Sequence, residues 1–307
     1  MKRLLQFSLV NALWIASAAH ADVTMRSKMD YRLGSFVPPA AAEGMKTQMA
    51  GLVENGTIVR IKGARSFTST GPLQIIMDQD KGTITILDPK SKRYATTTLA
   101  DYPEAAKKAM PVLPPDSQRL LENIKIDVKT DKTGQTNVIK GIKAEEMLVT
   151  VTMEMPGPMA AMGTTKMEMH LWTAAKEELE RVPALKELAA YTGSQAAGMT
   201  GATVTKMFSA MPGFGEKLKA PIEEMMKASS QVVLSVNMKM IMPGSAKMMG
   251  AANPDEPMTE ITTDVAEISS DAVPDSTFQV PAGYQKAEVD ELMQLMNPMR
   301  QMGQPKQ

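Results

Sequence analysis

The feature that most constrains this chain is an alternation of period two that returns in segments far apart in sequence. In residues 23–32 the odd positions are apolar or small and every even position is polar. Residues 147–155 put Met147, Val149, Val151, Met153 and Met155 at odd positions. Residues 165–172 set Met167, Met169 and Leu171 against Lys166, Glu168 and His170. The longest run, residues 231–242, carries Val232, Leu234, Val236, Met238, Met240 and Met242 on one side. Successive side chains of a strand point to opposite faces, so each segment predicts a half-buried antiparallel strand. At ~3.3 Å per residue the last would reach about 40 Å, twice an ordinary strand.

Shorter strands are predicted over residues 58–67, 73–77, 83–87 and 93–97, with Asp80-Lys81-Gly82 and Asp88-Pro89-Lys90 as hairpin turns. Residues 124–129 and 136–140 flank Asp131-Lys132-Thr133-Gly134 in the same manner, and residues 258–268 follow a linker rich in Pro, Gly and Asn. Helical spacing occupies residues 101–110, an insertion at about 173–229 broken by Pro183, Gly193, Gly201 and Pro212, and residues 287–301. In the last of these Val289, Leu292, Met293 and Met296 form a stripe behind an acidic first turn of Glu288, Asp290 and Glu291. Neighbouring strands in sequence thus predict an antiparallel meander, and the fold class is α+β. Long strands with one apolar face must curl or be covered. A curled sheet with helices in its mouth encloses an apolar cavity, whereas a filled core satisfies the same pattern without one.

Domain organisation follows from the ends. Lys2 and Arg3 precede an apolar stretch and Ala19-His20-Ala21, the pattern of a secretory signal peptide cleaved after Ala21. Residues 22–284 then read as one domain and residues 285–307 as a C-terminal helix and tail. No later segment is long and apolar enough to span a bilayer, so the expectation is a periplasmic or secreted protein, soluble rather than membrane-spanning.

Composition removes whole classes of chemistry. The 307 residues hold 34 Lys+Arg and 34 Asp+Glu, and losing Lys2 and Arg3 with the leader leaves a net charge of −2. The basic residues are dispersed, which gives no footprint for nucleic acid. Absence of Cys excludes disulfides, thiolate metal sites and thiol nucleophiles. Of two His, His20 lies in the leader, so His170 stands alone and a multi-histidine centre is excluded within one chain. Asp78, Asp80 and Gly82 resemble a calcium loop only superficially, since Thr83 and Pro89 occupy the positions that need Gly and Glu. Gly213-Phe214-Gly215 lacks the rest of a dinucleotide fingerprint, and no nucleophile elbow accompanies His170. The expectation is a protein that is not an enzyme and carries no cofactor or resident metal.

Several short motifs carry a family resemblance. They are residues 58–63 (IVRIKG), 73–78 (LQIIMD), Leu87-Asp88, residues 91–94 (SKRY), Leu171-Trp172 and residues 278–284 (FQVPAGY). Together they resemble exported bacterial domains of unknown function similar to the LolA/LolB lipoprotein carriers. The resemblance spans roughly residues 22–284 and implies a curved antiparallel half-barrel with helices closing its concave face. By analogy it implies binding of acyl chains. The partners expected are a lipid or other apolar small molecule and, separately, an envelope protein.

The chain holds 29 Met against 2 Trp, 5 Tyr and 6 Phe. Met is unbranched and polarizable, so a Met-lined cavity adapts to flexible chains. Met153, Met155, Met167, Met169, Val236, Met238, Met240 and Met242 are the expected ligand-binding residues if their strands are neighbours. The same pattern admits an interaction domain with a filled core, Met standing in for Leu. It also admits Cu(I) coordination by Met-x-Met thioethers, for which His170 faces the wrong way. An oxidant sink would use exposed methionines such as Met248 and Met249.

Overall fold

The computed structural model describes residues 22–109, 123–154, 156–157, 163–198 and 231–295. Among them β1 (Val23–Leu33) is followed by helix α1 (Pro39–Asn55) and a run of short strands: β2 (Thr57–Lys62), β3 (Arg65–Thr70), β4 (Leu73–Asp78), β5 (Thr83–Asp88) and β6 (Arg93–Thr98). After α2 (Tyr102–Ala109) come the longer strands β7 (Lys125–Ile139), β8 (Ile142–Glu154) and β9 (Thr164–Ala174). Helices α3 (Lys176–Arg181) and α4 (Pro183–Gly198) precede β10 (Val233–Ile241), α5 (Pro243–Met248) and β11 (Thr259–Ser269). A two-residue strand β12 (Gln285–Lys286) and α6 (Val289–Gln294) complete the described chain.

All twelve strands share one sheet in the order β12-β6-β5-β4-β3-β2-β1-β11-β10-β9-β8-β7. Two meanders, β1 to β6 and β7 to β11, meet where β1 pairs antiparallel with β11. Every pairing is antiparallel except that of β12 with β6. The antiparallel α+β meander is as the alternation predicts, but the sheet is large and open with few helices, its edges β12 and β7 not joined, rather than curled into a half-barrel. In β1 the even residues Arg26, Lys28, Asp30 and Arg32 are exposed while the odd ones are withdrawn from solvent.

Packing against this sheet is local. Leu185, Leu188 and Tyr191 of α4 belong to a cluster with Val23, Ile61, Val232, Leu234 and Val265. The Tyr191 hydroxyl donates to Ser66 Oγ at 2.5 Å, tying α4 to β3. On one face of the short strands Leu73, Ile86 and Ala95 lie with Leu292 of α6 and Tyr102 of α2. On the other face Phe67, Ile76 and Leu87 are covered by Phe278, Val280 and Tyr284. That covering segment is held by Asp275, whose carboxylate meets Arg65 at 2.8 Å and Lys62 at 3.3 Å. The Arg65 guanidinium also lies 4.8 Å over the Phe278 ring.

Four expectations are corrected. Residues 58–67 form two strands, because Gly63 at φ 58° turns the chain between Lys62 and Arg65. Residues 131–134 are not a hairpin turn: β7 runs through them, absorbing extra residues as a bulge between Lys132 and Thr136. The long strand of residues 231–242 is shorter, since Pro243 opens α5 and Met242 becomes its cap. A register shift between Val233 and Ser235 also interrupts its apolar side at Leu234. Helix α1, rich in Ala and lacking a strong apolar stripe, was not expected from periodicity at all. The expected leader and residues 199–229 of the expected 173–229 insertion lie outside the described residues, as does the tail beyond residue 295.

Candidate functional site

The sheet register brings most of the expected methionines together. Met240, Met167, Val151 and Val128 are successive cross-strand partners from β10 to β7. The next row on the same face is Met238, Met169, Val149 and Thr130, and the next is Val236, Leu171, Met147 and Lys132. Met153 pairs with Thr165 and Ile126 on that face as well. The pleat's period of two makes this an obligate consequence of register: one residue of slip would turn every one of these side chains over.

Side-chain packing follows the rows. Val149, Val151 and Met169 are buried, and Met153, Met167, Leu171 and Met238 pack against them together with Ile126 and Val128. Met240 and Val236 share the face by register and are half-buried. Met242 leaves the strand at the α5 cap, and Met155 lies outside the described residues. Two hydroxyl oxygens on this face, Thr130 Oγ1 and Thr165 Oγ1, are buried without a hydrogen-bond partner. Such groups cost about 1–3 kcal/mol each, so the face is not optimised purely as protein interior.

The reverse face of the same strands is polar and tightly bonded. Glu146, buried at 6% exposure, accepts from Thr133 Oγ1 at 2.7 Å and lies 2.8 Å from His170 Nδ1. Burial opposes ionisation of Glu146. The bonds from Thr133 and His170, with the His170 charge, outweigh it and hold the carboxyl below its ordinary range. Beside His170, Asn237 uses its Nδ2 on Glu260 at 2.8 Å and on Thr262 at 2.9 Å. His170 is therefore engaged with a carboxylate on the face opposite Met167 and Met169, as parity within β9 predicts.

The sequence does not mark Thr133 as a partner, because Asp131-Lys132-Thr133-Gly134 carries the chemistry of a turn. The β7 bulge instead swings it back over β8. The same bulge, with Gly134 at φ 75°, opens a cleft of about 210 Å³ lined by Lys132, Glu145, Glu146 and Met147. A second cleft of about 300 Å³ at the start of β1 is lined by Arg26, Arg60, Glu267 and Asp271. Of the expected lining residues neither cleft contains any. Among the described residues no group of three or more His, Asp or Glu is arranged to hold a metal ion. No described helix is long and apolar enough to cross a membrane.

What these observations define is an α+β protein built on one open, mostly antiparallel sheet with a methionine-bearing face. No family model matches the chain, and no curated protein matches it. Among solved structures it is similar to the lipoprotein LppX of Mycobacterium tuberculosis, at 10% identity, over 83% of this chain and 88% of that one, with a TM-score of 0.26. An overlap that loose carries no assignment, and the architecture rests on this chain's own strand order and register.

Proposed function

We propose that this chain is an exported, non-enzymatic binding protein that holds a lipid or other apolar ligand against the methionine-bearing face of β7 to β10. The observation that supports this reading is the cross-strand register that lays Met153, Met167, Met169, Met238, Met240 and Val236 on one face. Several of those side chains stay half-buried instead of closing into a core. Unbranched thioether side chains re-pack around ligands of differing shape at little cost, which suits flexible acyl chains. A competing reading, a filled interaction domain, draws on the complete burial of Val149 at the centre of the same face.

The two separate in solution. The chain from residue 22 onward, purified without detergent and weighed intact under native conditions, is expected to carry acyl species. After delipidation it should take up a fluorescent fatty acid or phospholipid saturably. Replacing Met169 by Trp, which fills the face, should weaken that uptake by at least about tenfold, a loss of ~1.4 kcal/mol. Absence of both co-purified lipid and saturable uptake would remove the carrier reading and leave the filled domain.

A further inference from the structure

The methionine face contains an arrangement that apolar packing does not require. Met238 stands directly opposite Met169, and Met240 directly opposite Met167, on the adjacent antiparallel strands β10 and β9. Directly opposed residues have Cα atoms about 4.5–5.5 Å apart, and residues two apart on one strand about 7 Å. Four thioethers thus rise from the corners of one small rectangle on a single face. Each sits on an unbranched stem with three rotatable bonds, so the four sulfurs can gather over its centre. Met169 forms the buried floor at 8% exposure, while Met167, Met238 and Met240 are half-buried and leave an approach from outside.

From this geometry we infer that Met167, Met169, Met238 and Met240 form a binding site for a soft monovalent cation, Cu(I) or its surrogate Ag(I). Soft thioether sulfur selects Cu(I), whereas Mg, Ca and Mn need oxygen donors. His170 and Glu146 lie on the reverse face and take no part in the quartet. The site is uncharged, has four neutral donors and performs no redox step. The inference does not depend on a lipid being carried.

The test uses the chain from residue 22 onward, anaerobically, titrated with Cu(I) against a chromophoric Cu(I) chelator. One tightly held ion per chain is expected. In parallel, Ag(I) added to protein labelled at the methionine methyl carbons should shift the resonances of these four residues and leave those of exposed Met248 and Met249 in place. A variant with all four changed to Leu should lose affinity by more than about 100-fold, beyond the 10–100-fold that a missing outer-sphere partner costs. Leu conserves volume and apolarity, so the variant should fold. The cation is read by the chelator and the methyl resonances, and the lipid by saturable uptake in the unaltered protein, so the copper and carrier readings fail separately. Should the fourfold variant not fold, the pair M169L with M238L replaces it, and the methyl spectra of the unaltered protein decide alone. Equal Cu(I) affinity in parent and variant, or Ag(I) shifts confined to other methionines, would overturn the inference.

Discussion

At the scale of single residues the decisive contact is the buried carboxylate of Glu146, which lies on the sheet's polar face between Thr133 and His170. Thr133 and His170 both hold the ionised form, so the folded chain releases this proton more readily than the unfolded one does. A depressed folded pKa means that the stabilisation is complete above the ordinary glutamate range and disappears as pH falls through the folded value. Glu146→Gln should therefore lower stability by about 1–3 kcal/mol at pH 7, the scale of a charged hydrogen bond. The deficit should persist through the ordinary glutamate range and shrink towards zero only as pH falls below it, through the folded value, where wild type is protonated too. Urea unfolding of both proteins across that range checks it, and a deficit independent of pH would show that shape rather than charge is lost. Parity in the sequence already placed His170 on the face opposite Met167 and Met169, though not beside Glu146, which the register of β8 with β9 brings to it. It could not supply Thr133, whose position depends on a bulge that only pairing with β8 creates.

Elements were legible in proportion to how strongly burial patterned them. β1, β8, β9 and β11 match the alternation because each presents one face to apolar partners and one to polar ones. Helix α1 was invisible for the converse reason: it buries little, and its Ala, Gly and Met residues make no sharp stripe. Its end, however, is fixed by one residue. Gly56 stands at φ 61°, its amide donates to Leu52 O at 2.8 Å, and a Cβ there would lie 2.1 Å from Ser27 O. Gly56→Ala should thus cost more than about 2 kcal/mol, through both the left-handed backbone and a clash with the main chain of β1. Gly44 and Gly51 lie inside the same helix with nothing within 4 Å of an added Cβ. Replacing either with Ala should stabilise the protein by about 0.5–1 kcal/mol. Thermal unfolding of the three variants side by side distinguishes a helix held by its terminus from one held by its length, and similar shifts for all three would contradict the former.

At the scale of the molecule, the first strand of the domain is also the central one. β1 is flanked by β2 on one side and β11 on the other, so the two meanders are one sheet only through it. Near-neighbour turns in the sequence revealed each meander, but nothing local encodes the pairing of β1 with β11, whose partners are more than 200 residues apart. The position is anchored by Val23, fully buried, and by Asp22, whose carboxylate accepts from the Val273 amide at 2.6 Å. Met25 pairs simultaneously with Val59 and Ile268. Proline at that point removes a ladder donor and places its ring between two strands, a change costing ~3 kcal/mol or more in regular structure. Met25→Pro should abolish cooperative folding and expose long β-edges, giving aggregated material in size-exclusion chromatography. The opposite expectation applies at the edge. Where β12 runs beside β6 the donors are the Gln285 amide to Lys92 O, just before β6, and the Ala287 amide, just after β12, to Tyr94 O; the Lys286 amide makes neither bond. Lys286→Pro should therefore leave the oligomeric state unchanged and the stability within about 1 kcal/mol of wild type. If both prolines were equally tolerated, β1 could not be the seam on which the sheet, and with it the methionine face, depends.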